Sequence, residues 1–148
     1  MEREEITRVA RELQYESSSF LGPVMFHGYS MRPFLEDGDE LVSKCAEWRE
    51  IKTGDIITYR LEDKFPTYRV IKKYDDKLIL KADSWPELFE VGKEEVIGKI
   101  IMRRRGLDAL SSSDFSWAFH SAIVIWMYRK DVTMSKLRYY YRKLKGLL

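Results

Sequence analysis

The amino-acid sequence predicts a mainly β, α+β domain carrying an amphipathic helix at its N-terminus and a helical tail at its C-terminus. Two observations predict it. From Val24 to about Met102 short apolar runs are broken at regular intervals by Gly, Asp and Pro, the pattern of strands joined by turns. On either side of that region the apolar spacing changes to three and four residues, the period of a helix.

The elements follow in order. Over residues 2–16, Ile6, Val9, Ala10 and Leu13 fall on one helical face among Glu and Arg, and the run stops at the serines 17–19, which read as a hinge or a cap. Turn chemistry then recurs at 36–39, 53–55, 63–66, 75–77 and 83–86. Strands are expected between these turns, at 40–42, 56–59, 68–71, 78–80 and, last, 96–101. A second serine run at 111–113 precedes a strongly apolar stretch, 114–128, and residues 129–148 hold seven Lys or Arg against one Asp. The expected organisation is a helix and linker over 1–21, a β domain over 22–105 and a basic, aromatic helical tail over 106–148.

Composition narrows the function. A chain of 148 residues, 45% apolar and 34% charged with a net charge of +2, suits one globular domain, and its total charge gives no reason to expect a nucleic-acid partner. The single cysteine, Cys45, has no cysteine to pair with and no Cys or His beside it to build a zinc site, so neither metal nor cofactor is expected and a reducing compartment is the default. The N-terminus lacks the apolar run of a secretory signal or membrane anchor, which points to the cytoplasm. The tail's apolar stretch, interrupted by His120 and Ser121, is shorter than the roughly 20 residues of a spanning helix. Two readings of the tail stand: a helix packed on the β domain, or a basic amphipathic segment in peripheral contact with a membrane through Trp117, Trp126 and Tyr128.

The chemistry is concentrated at 28–33, Gly-Tyr-Ser-Met-Arg-Pro, followed by Gly38-Asp39. A serine between Gly28 and Pro33 sits at a bend where its hydroxyl can project and where backbone N–H groups can face a developing oxyanion. Further pieces follow downstream: Gly54-Asp55-Ile56-Ile57, Tyr68-Arg69-Val70-Ile71, Leu80-Lys81-Ala82-Asp83-Ser84 and Val96-Ile97-Gly98-Lys99-Ile100.

In this order the boxes resemble those of the type I signal peptidase and LexA-like serine peptidases, over roughly residues 22–105. The resemblance implies a coiled antiparallel β-sheet and a serine endopeptidase that cleaves leader or signal-like peptides, with Ser30 as nucleophile. It also implies a peptide-binding and oxyanion segment of Gly28, Tyr29, Met31 and Pro33. The position directly before Arg-Val, which carries the general base (Lys or His) in the family, is Tyr68, and Asp83 stands where His-type relatives orient that base.

Tyr68 is the main departure from the family. An unperturbed phenol has a pKa of about 10, so forming the phenolate at pH 7 costs about 4 kcal/mol, and a nearby Asp83 would raise that figure. The pair therefore reads as a phenol donating to a carboxylate. Alternation along the strand aims Arg69 away from Tyr68. Other candidates for the base are weaker: Lys72 is about 13 Å along the strand from Tyr68, Lys81 requires its loop to fold inward, His27 points away from Ser30 if the segment is extended, and His120 belongs to the tail. Two functions follow, a leader-peptide peptidase or an inactive peptide-binding module of the same fold. A LexA-like regulator would need a DNA-binding domain, which a 21-residue N-terminal segment is too short to hold.

Overall fold

The structure, a computed structural model, describes residues 20–145; the helix expected at 2–16 and the serines 17–19 lie outside them. Eight strands and one long helix follow in order: β1 Phe20–Met25, β2 Glu40–Lys44, β3 Ile56–Tyr59, β4 Thr67–Lys73, β5 Lys77–Lys81, β6 Leu88–Gly92, β7 Val96–Arg105, β8 Asp108–Ser111 and α1 Phe115–Lys145. All pairings are antiparallel, in the order β1-β2-β7-β3-β4-β5-β6, with β8 added to β7, and the sheet is not closed.

β7 is the hinge of this arrangement. At ten residues it is the longest strand, and it carries β2 on one edge and both β3 and β8 on the other. Bulges interrupt the β1–β2, β2–β7, β3–β7 and β4–β5 ladders. Each adds local twist and bends its strand, which lets the sheet wrap over two apolar clusters. One, around Met31, Phe34, Leu35, Ile56 and Trp117, joins the 28–35 loop to α1. The other, around Ile57, Val70, Leu78, Leu80 and Val91, fills the β3–β6 half. Tyr68 packs against both.

The five strands expected from sequence are present, and β1, β6 and β8 are additions. β1 is interrupted by Gly22-Pro23, where its register with β2 shifts, so it lacks a continuous run. The expected domain edge at residue 105 falls inside a hairpin. Gly106, at φ +58°, takes the first central position of a two-residue turn between β7 and β8, where a glycine is favoured. The sheet thus extends to Ser111 and the helix begins at Phe115.

A fully buried arginine ties the sheet to the helix. Arg69 donates through Nε and Nη2 to the two carboxylate oxygens of Asp83, at 2.8 and 2.7 Å, and its Nη1 reaches the Gly54 carbonyl at 3.1 Å and Ser121 Oγ at 2.6 Å. Its guanidinium lies 5.0 Å from the centre of the Phe34 ring, and Phe34 meets Trp117 of α1 edge-on at 4.8 Å. Gly54 completes the joint. At φ +98° in a turn, it leaves space that a Cβ would narrow to 3.4 Å from Ser121 Cβ and Ile125 Cδ1.

Burial alone would push the Asp83 carboxyl up. The hydrogen bonds and charges of Arg69 and the adjacent His120 outweigh it and hold the group below its ordinary value of 3.8. A depressed folded value stabilises the fold fully above the ordinary carboxylate range, and that stabilisation is lost as pH falls through the folded value. Urea unfolding at neutral pH is expected to show Arg69→Met less stable by about 3–5 kcal/mol, because it strands a buried charge, whereas Arg69→Met combined with Asp83→Leu recovers most of the loss. In acid titrations the stability of the wild type is expected to fall steeply below about pH 4, and that of the double variant less so.

Candidate functional site

The loop that carries Ser30 is closed at its base by backbone. Phe26 N–H donates to the Asp39 carbonyl at 2.7 Å, and Gly38 N–H donates to the Phe26 carbonyl at 2.8 Å. Asp37 and Asp39 hold the interior of the loop by accepting from the N–H groups of Gly28 and Glu36. Met31, Phe34 and Leu35 are drawn into the core, and this apolar anchoring leaves Ser30 on the opposite side of the bend. Asp39 itself is buried and paired with Arg105 through two bonds of 2.8 Å, which secures the loop to β7.

A second clamp comes from beyond β5. Ser84 N–H donates to the Ser30 carbonyl at 2.9 Å, and the Ser84 hydroxyl is shared between the Tyr29 and Arg32 carbonyls, each 2.9 Å away. Since Asp83 is locked to Arg69, its neighbour Ser84 is delivered to a defined place under the loop. Sequence reasoning missed Ser84, Ser121 and the buried role of Arg69. The available signal for Arg69 was a single charge inside the apolar run of a central strand, which has to find a partner when buried.

Ser30 lines an apolar cleft of about 740 Å³ together with Gly28, Tyr29 and Tyr68. Val24, Met25, Phe65, Trp85 and Ile97 are among the apolar side chains around it, and Thr58 and Thr67, whose hydroxyls are 2.9 Å apart, contribute polar points. The remaining expected site residues lie elsewhere. Met31 is a core residue with 0% exposure, Pro33 is exposed outside the cleft lining, and Asp83 is turned toward Arg69 and α1. The expected phenol–carboxylate pair is therefore not formed: both Asp83 oxygens accept from Arg69, on the face of β4 opposite Tyr68.

Tyr68 stacks on Phe89, with ring centroids 4.6 Å apart and planes 12° from parallel, and among the described residues its hydroxyl has no hydrogen-bond partner. Burial, and next the charge of Glu87, push its pKa above the ordinary value of 10. Its neighbour Tyr59 is pushed up to about 12 by burial, by Tyr68 and by Glu95. Of the other candidates, Lys81 bonds the Ala82 carbonyl at 2.8 Å outside the cleft, and Lys72 is exposed beside Tyr74. His27 differs from expectation. Residues 26–30 form a bend instead of a strand, so His27 is among the residues that line the same cleft as Ser30, and its Nδ1 is 3.4 Å from Asp37 Oδ1.

Comparison with protein-family models, with curated proteins and with solved structures finds no match. Among the described residues there is no group of three or more His, Cys, Asp or Glu side chains placed to hold a metal ion.

Removing the Ser84 hydroxyl tests the clamp. Ser84→Ala is expected to lower stability by about 1 kcal/mol and to speed amide exchange at Arg32 and Leu35. Hydrogen exchange read by mass spectrometry or NMR should place the change there and leave the β3–β6 ladders unaltered.

Proposed function

We propose that the cleft binds an extended, largely apolar peptide segment in the manner of a signal-peptidase-like domain, with Ser30 at the nucleophile position and Tyr68 at the position of the base. The observation that carries this reading is that Ser30 and Tyr68, 38 residues apart in sequence, line one apolar cleft. β1, a terminal strand of the sheet among the described residues, contributes Gly22, Val24 and Met25 to the same cleft. An added strand could pair along its edge while alternate side chains enter the apolar walls. Leader-like peptides, which combine an extended backbone with small and apolar side chains, fit this chemistry.

A serine hydroxyl needs a neighbour to take its proton, and a phenol whose pKa lies above 10 is a poor acceptor at neutral pH. On this reading the domain holds its peptide and cleaves it slowly or not at all.

A second reading keeps a serine endopeptidase and moves the base to His27. An imidazole is the side chain suited to exchange protons near neutrality, His27 is among the residues lining the cleft, and Asp37 stands at its Nδ1 in the way that a carboxylate orients a catalytic histidine.

Fluorescent leader-type peptides separate the two. If the cleft only binds, wild type and Ser30→Ala should bind alike without cleaving, Trp85→Ala should weaken binding, and Tyr68→His should gain hydrolysis that Ser30→Ala abolishes. If His27 is the base, the wild type cleaves, and His27→Ala and Ser30→Ala each lower the rate by about 100-fold or more with peptide affinity preserved. Failure of all these proteins to bind or cleave any peptide would remove the proposal.

A further inference from the structure

The long helix has two unlike faces. Trp117 and Ser121 are buried, and Val124, Tyr128 and Val132 are half-buried, at spacings of three and four that put them on one face of the helix. The opposite stripe, where a helix on a soluble domain ordinarily carries charge, is formed by Phe115, Phe119, Ile123, Trp126 and Leu137. Phe115 is 82% exposed, Trp126 62% and Leu137 57%.

Charge is distributed along the same helix. Residues 115–128 contain no Asp, Glu, Lys or Arg, whereas 129–145 contain seven Lys or Arg and one Asp. Arg129, Lys130 and Lys136 are all exposed, and the Lys130 ammonium lies 5.4 Å from the centre of the Trp126 ring. An outward aromatic and aliphatic stripe next to clustered cations suits a surface that is apolar beneath and anionic on top. A second copy of the chain offers the apolar part but meets these cations with its own. The helix is not long and apolar enough to cross a bilayer, so its geometry suits lying within the interface.

We propose that α1 docks the domain onto an anionic lipid surface, with Phe115, Phe119, Ile123, Trp126 and Leu137 entering the headgroup–acyl boundary and Arg129, Lys130 and Lys136 facing lipid phosphates. This docking is independent of the cleft and holds whether or not a peptide is cleaved there.

Flotation of the full chain with phosphatidylcholine vesicles, with and without about a third phosphatidylserine, tests it. Binding is expected on the anionic vesicles only, and it should fall several-fold when salt rises from about 0.1 to about 0.5 M. Phe119→Asp combined with Trp126→Asp, both at exposed positions, should lower partitioning by at least about tenfold, the loss expected when two large aromatic side chains leave the interface. Lys130→Glu with Lys136→Glu tests the charge without touching the apolar stripe and should weaken binding to anionic vesicles. Circular dichroism and urea midpoints check that each variant is folded. Equal flotation with neutral and anionic vesicles would overturn the proposal, as would flotation indifferent to both pairs of substitutions. So would an absence of vesicle binding together with a dimer, seen by sedimentation, that Phe119→Asp with Trp126→Asp dissociates.

Discussion

The buried pair of Arg69 and Asp83 is the constraint on which the rest of the molecule depends. An ion pair taken out of water is stabilising only when its geometry is good and its remaining donors are satisfied. Here two parallel bonds join the guanidinium to the carboxylate, and the remaining nitrogen is shared between the Gly54 carbonyl and Ser121. Those partners come from the turn before β3, from β4, from the segment after β5 and from α1. Such a bonding pattern admits few alternative placements, so the pair acts as a register pin for four parts of the chain.

The cleft inherits its shape from that pin. With Asp83 held, Ser84 lies beneath the 28–33 loop and bonds three of its carbonyls, and the buried Met31, Phe34 and Leu35 hold the loop from the other side. With Arg69 turned toward the helix, strand alternation turns Tyr68 the other way, toward Ser30's cleft and against Phe89. One strand thus supplies a structural cation on one face and a cleft residue on the other. Among the described residues no carboxylate or cation bonds the Tyr68 hydroxyl, and burial raises the pKa of the phenol.

The helix makes a different use of the same contacts. It meets the domain through Trp117, His120 and Ser121. The exposed aromatic stripe is then a consequence of where the sequence places its apolar residues: they surround the first half of the helix, and packing on the domain can cover only one side.

Periodicity and turn chemistry in the sequence determined the mainly β class, five strands, the long C-terminal helix and the position of Ser30 at a bend, because alternation, helical spacing and Gly, Asp and Pro are local signals. The opposition of Tyr68 and Arg69 was also legible, since it needs only the two-residue period of a strand. β1, β6 and the β7–β8 hairpin were not: they are short or broken by glycine and proline, and neighbouring strands supply the pairing that makes them strands. Tertiary structure alone decided that Asp83 would serve Arg69 instead of Tyr68, that Met31 would be core instead of a wall of the groove, and that His27 would share the cleft with Ser30. Each of these depends on partners from 9 to 52 residues away meeting in space, and the choice among such partners is made by burial, which strands Arg69 unless a carboxylate 14 residues on turns inward to meet it.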